Sequence, residues 1–128
     1  MTLGVVYENL GNPDEALRNY EEALEIEKEI GNDRLTANAL GNIGDSYRNL
    51  GKYDEALKYH SEALKIFRRI ENKKGIATEM VNIGLTYGRL GKYDEALKYY
   101  REASEIFQKI KDVQGIESWS GKTGQRHK

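Results

Sequence analysis

Ile43-Gly44-Asp45-Ser46-Tyr47-Arg48-Asn49-Leu50-Gly51 returns without a gap as Ile83-Gly84-Leu85-Thr86-Tyr87-Gly88-Arg89-Leu90-Gly91, and Leu3-Gly4-Val5-Val6-Tyr7-Glu8-Asn9-Leu10-Gly11 stands the same distance ahead of it. The register extends through Asp14-Glu15-Ala16-Leu17, Asp54-Glu55-Ala56-Leu57 and Asp94-Glu95-Ala96-Leu97, and closes at Ile30, Ile70 and Ile110. A period of about 40 residues fits one supersecondary unit of a stacked array.

Each unit reads as two antiparallel helices. In the middle unit Asn32 or Asp33 can cap a first helix over about 34–50, in which Leu40, Ile43, Gly44 and Tyr47 recur at the three-and-four spacing of one buried face. Gly11, Gly51 and Gly91 fall just past this helix, where a residue without Cβ closes the last turn in the left-handed conformation. Asp54 is the expected N-cap of the second helix. Its apolar stripe is Ala56, Leu57, His60, Ala63, Leu64, Phe67 and Ile70, and its opposite face carries Glu55, Lys58, Glu62 and Lys65 to water. Glycine inside a helix costs about 1 kcal/mol relative to alanine. Gly44 and Gly84, at one register inside the first helix, therefore imply a close neighbour, with Ala16, Ala56 and Ala96 as the opposing surfaces. Tyr7, Tyr47 and Tyr87 are expected to fill the seam between one pair and the next.

The run Leu-Gly-x-x-Tyr, then Leu-Gly-x-Tyr-x-Glu-Ala-Leu-x-Tyr-x-x-Ala-Leu, resembles the tetratricopeptide repeat and covers nearly all of Leu3 to Ile110. The longer unit and the absence of the repeat's usual proline resemble the long-helix subclass of kinesin light chains, spindle-orientation adaptors and many prokaryotic signalling proteins. The resemblance implies an all-α fold, a right-handed superhelical solenoid of antiparallel helix pairs. Residues 1–31 read as a first repeat lacking the front of its first helix, 32–71 and 72–111 as complete repeats, and 112–128 as a partial capping helix with a frayed tail. That last assignment rests on Gln114-Gly115-Ile116-Glu117, which echoes Lys74-Gly75-Ile76-Ala77 before the sequence turns polar and glycine-rich.

Charge and composition narrow the function. Twenty Lys and Arg stand against 21 Asp and Glu, a formal charge of -1 that argues against a nucleic-acid partner. The chain has no cysteine, which removes disulfides and thiolate metal sites and fits a reducing, cytoplasmic setting. No apolar run approaches the roughly 18 residues of a membrane span. Gly121-Lys122-Thr123 resembles the end of a phosphate loop, but Gly115 is one residue out of register and no strand precedes it. His60 aligns with Tyr20 and Tyr100 and so reads as a packing ring rather than a metal ligand. Acidic residues mostly stand three or four positions from Lys or Arg, as Asp54 does from Lys58, which suits a solvated helix face. No nucleophile, base and orienting group converge. The sequence thus indicates no enzyme, no cofactor and no metal.

What remains is the inner wall, which first helices line in stacked helix pairs. The second repeat offers Asn38, Asn42, Asp45, Arg48 and Asn49 there, the third offers Thr78, Asn82, Leu85 and Arg89, and the first offers Val5, Glu8 and Asn9. Asn42 and Asn82 share one register. An amide both donates and accepts, so such a ladder can hold the backbone of an extended peptide, as the matching asparagines do in the family, or bond a neighbouring helix instead. The family's chaperone-binding carboxylate clamp is absent, since Val5 stands where its first asparagine belongs. The expected function is protein or peptide binding in the concave groove. The alternatives are a self-associating scaffold, a homo-oligomer through uncapped ends, and a regulatory fragment of a larger signalling protein.

Overall fold

Asn12, Asn32 and Asn72 stand at helix starts, and left-handed Gly31, Gly51, Glu71 and Gly91 close the turns after helices. The structure, a computed structural model, describes residues 12–120, with side chains as far as residue 113. Val5, Tyr7, Glu8, Asn9, Gly11 and the Gly121-Lys122-Thr123 tail lie outside the described residues, as do the side chains of Ile116 and Trp119. Five helices occupy the described span: α1 (Pro13–Ile30), α2 (Asp33–Asn49), α3 (Tyr53–Arg69), α4 (Lys73–Arg89) and α5 (Tyr93–Ser120). The pairs α2–α3 and α4–α5 are the first and second helices of the two complete repeats.

Asn12, Asn32 and Asn72 each accept a hydrogen bond on the side-chain oxygen from a backbone N–H three residues on, satisfying a donor that the helix start would leave unpaired. The second helix departs from expectation here. Lys52 holds the cap position of α3 without a side-chain bond, and Asp54 falls inside the first turn. Only Lys52 separates left-handed Gly51 from the helix, so α3 begins before Asp54 is reached; the Asp54 carboxylate then acts on the positive end of the helix dipole. Gly51 and Gly91 take φ of 78° and 79° as the sequence predicts, whereas Glu71 holds the same place after α3 at φ 55°, a strained position for a residue with a Cβ.

Packing is serial. Each helix touches its sequence neighbours, and α2 also touches α4, which brings the two first helices into one wall. One apolar cluster joins α1, α2 and α3 around Tyr20, Leu40, Ile43 and Phe67, and a second joins α3, α4 and α5 around Leu64, Met80, Ile83 and Ala103. Gly44 lies directly against the His60 ring and Gly84 against Tyr100, the close approach that their recurrence implies. Tyr47 and Tyr87 each stack on the second helix of their own pair, Tyr47 on Tyr59 at 5.5 Å and Tyr87 on Tyr99 at 5.8 Å, and pack against the apolar clusters that join that pair to the preceding helix.

The sequence also predicts a separate capping helix after residue 111, whereas residues 112–120 prolong α5. The corresponding break after α3 uses left-handed Glu71 and the capping side chain of Asn72. At the equivalent place Asp112 instead accepts a 3.0 Å bond from the Gln108 amide one turn back, which holds it in the helix. As a result Phe107 is 39% exposed while its counterpart Phe67 is 3% exposed.

Candidate functional site

The wall of α2 and α4 carries all nine predicted contact residues. Asn38, Asn49, Thr78, Leu85 and Arg89 are exposed, and Asn42, Asp45, Arg48 and Asn82 are half-buried. Asn42 and Asn82 lie at one register on touching helices, and among the described residues neither side-chain amide bonds to the protein. Asn38 and Thr78, one turn before them, line a cavity of about 270 Å³ together with Arg34, Phe67, Asn72, Lys74, Gly75 and Glu79. The Thr78 hydroxyl donates back to the Lys74 carbonyl at 2.8 Å.

Two of the nine are engaged inside the protein. The Arg48 guanidinium is 12% exposed, pairs with Asp45 at 3.1 Å and donates to the Asn82 carbonyl at 3.4 Å, tying α2 to α4. Asp45 also lies 3.3 Å from His60 Nε2, within ion-pair range but outside hydrogen-bond geometry. The other ring nitrogen, Nδ1, is 2.7 Å from Glu79 Oε1. Arg48, Asp45, His60 and Glu79 therefore form a chain of alternating charge across α2, α3 and α4. His60 is fully buried and Glu79 is 4% exposed. Burial alone would lower the imidazole pKa, but the Asp45 and Glu79 carboxylates against its two nitrogens outweigh it and hold the pKa above its ordinary value. The two carboxylates face opposite ring nitrogens, so the groups do not converge on one point as the ligands of a metal ion would.

Sequence reading placed His60 correctly on the packing face and missed its partner. The signal was a set of coupled departures from the repeat. His60 stands where the other repeats have Tyr20 and Tyr100, Glu79 where the second repeat has Ala39, and Gly41 where the third has Val81. A Cβ on Gly41 would come within 2.8 Å of Glu79 Oε2, so the glycine makes room for the acid. One junction between repeats packs Tyr20 against the α2 face that holds Ala39, while the next exchanges ring and methyl for a charged pair.

Paired helices of one period, packed serially with their first helices forming a wall, define a helical-repeat protein. The tetratricopeptide repeat profile matches residues 1–48 and 35–109, and the chain belongs to that family. Its members are generally protein-interaction modules without catalytic activity. Among curated proteins no sequence matches. Among solved structures, the tetratricopeptide domain of Arabidopsis FLU is 27% identical, with a TM-score of 0.76 over 83% of this chain and 89% of that one. The apo form of RapI is 26% identical with a TM-score of 0.75, and the match spans 83% of this chain but 38% of RapI. The N-terminal domain of stress-induced protein-1 from C. elegans shares the fold at 18% identity and a TM-score of 0.68, over 90% of this chain and 89% of that domain. Among the described residues no helix is long and apolar enough to cross a membrane.

Proposed function

We propose that this chain is a non-catalytic, cytoplasmic module that holds an extended segment of a partner protein along the α2–α4 wall, with the Asn42 and Asn82 amides gripping its backbone. The observation that carries this reading is that both amides stand free at one register, so their donors and acceptors are available to a peptide. Asn38, Asn49, Thr78, Leu85 and Arg89 flank them and select side chains. Asp45 and Arg48 act mainly by fixing the wall. Replacing Asn42 and Asn82 together by alanine is expected to leave the thermal melt unchanged and to weaken partner binding by about 1 to 3 kcal/mol, the cost of two lost hydrogen bonds with ligand groups left unsatisfied. Calorimetric titration with a partner recovered by pull-down measures the loss; an equal fall in the stability of the free protein would assign the amides to folding instead.

Self-association is favoured by a separate observation, the exposed apolar face of α5. Tyr93, Leu97 and Phe107 are all exposed there and fall within about 80° of one another around the helix, whereas Phe67, the counterpart of Phe107, is covered by α4. A second copy seated on that face would extend the stack, and association through unlike ends gives open arrays unless the rotation closes. The expected result in sedimentation is a mass that rises with concentration above 14.6 kDa, and that Phe107→Glu returns to the monomer. A wild-type chain that stays monomeric at high concentration would remove this reading.

A further inference from the structure

The cations of the inner wall differ in whether they are already matched. Arg48 is neutralised by Asp45, and the Glu79 carboxylate faces His60. Arg34, Lys74 and Arg89 have no anionic partner among the described residues. The wall reads as mixed in sequence but is cationic once its internal pairs are removed. Two of the free cations, Arg34 and Lys74, occupy one register on neighbouring first helices and line the same cavity of about 270 Å³, with the buried Phe67 ring among its lining. The start of α4 beside this cavity carries Lys73 and Lys74 and no acidic residue in its first turn, whereas the first turns of α1, α2, α3 and α5 all contain one. The positive end of the α4 dipole therefore adds to the field of the lysines instead of being offset.

We propose that this cavity is an anchoring site for an acidic side chain, Asp or Glu, of the bound peptide, with Arg34 and Lys74 pairing its carboxylate and Asn38 supplying a neutral donor. The proposal rests on the groove reading above and specifies its ligand chemistry. Arg34 and Lys74 precede Asn42 and Asn82 by eight residues, or about 12 Å of helix. An extended peptide held at the asparagines reaches that distance within about four residues, so the acid belongs at a fixed offset from the gripped backbone. The ligand is taken as a side chain because Arg34 and Lys74 are exposed at the rim of the cavity, where a main chain can run past while its side chain turns in.

The test is selection of random dodecapeptides displayed on phage against the wild-type chain and against Arg34→Gln/Lys74→Gln. Both replaced side chains are exposed and unpartnered, so the variant is expected to melt like wild type. Wild type should enrich peptides with Asp or Glu at one position. A synthetic, acetylated and amidated form of the best peptide should bind about tenfold more weakly when that acid becomes its amide, the worth of one charge-assisted hydrogen bond. On the variant the same change should have under about twofold effect. Enriched peptides that lack an acid, or an acid preference that survives in the variant, would overturn the anchoring site while leaving the groove intact. Loss of binding on amidation of the C-terminus alone would overturn the choice of a side chain. If no selected peptide is weakened by Asn42→Ala/Asn82→Ala, the groove reading fails and the anchor fails with it.

Discussion

Glu79→Ala is expected to destabilise the folded chain by about 3 kcal/mol, the low end of the cost of breaking a buried ion pair. The substitution leaves the fully buried His60 without its 2.7 Å partner and opens a space against Gly41. The cost stays at the low end because Asp45 remains beside the ring and because a deserted imidazole can release its proton. Replacing the pair is a different matter. His60→Tyr/Glu79→Ala restores the arrangement of the preceding junction, Tyr20 with Ala39, and Tyr100 shows that a tyrosine ring fits over the glycine of the first helix. The double variant should recover most of the loss, since well-packed apolar groups commonly match or exceed a buried charged pair. Urea denaturation of the wild type, Glu79→Ala, His60→Tyr and the double variant gives the coupling directly.

The pair also sets a pH dependence. The His60 pKa is raised above 6.5 in the folded chain, so folding binds a proton that the unfolded chain releases sooner. The stability from this group is complete below about pH 6.5 and is lost as pH rises through the raised folded value. Wild type should therefore melt at progressively lower temperature as the buffer moves from mildly acidic to alkaline, and the double variant should be flat across that window. A wild-type profile as flat as that of the double variant would mean that folding leaves the His60 pKa unshifted.

The repeat made most of the fold legible, because a pattern that recurs in register reports a shared environment. The period, the pairing of helices, the left-handed Gly51 and Gly91 and the tight approach at Gly44 and Gly84 all follow from residues that return at the same place. Departures from the repeat were harder to read. Asp45 and Arg48 look like groove residues by register, yet they face inward charges that exist at one junction only. Glu79 and His60 are separated by 19 residues, and nothing in either local pattern announces the other. The end of α5 was misread for a related reason: the echo of Lys74-Gly75-Ile76 at Gln114-Gly115-Ile116 suggested a new helix, but the break itself depends on Glu71 and Asn72, and Lys111 and Asp112 do not reproduce it.

Gly44→Leu is expected to cost about 1 to 3 kcal/mol through overpacking. A Cβ at residue 44 would stand 2.7 Å from His60 Nε2 and 2.8 Å from two ring carbons, inside contact distance before the rest of leucine is added. The ring has little freedom to yield, since Glu79 holds Nδ1 and Asp45 lies against Nε2. Relief must come from separating α2 and α3 or from breaking the charged chain, and either route disturbs the junction with α4. Because each unit buries its apolar face only against its neighbours, damage in the middle repeat should spread to both clusters. Gly88→Ala is the matched control: it lies in α4, a Cβ there meets nothing within 4 Å, and alanine should raise stability by up to about 1 kcal/mol through helix propensity. Circular-dichroism melts of the two variants should therefore move in opposite directions from wild type. A Gly44→Leu chain that melts with wild type would show that α2 and α3 can part without loss, and the close approach at Gly44 would no longer explain why a glycine stands at that register in the middle of a helix.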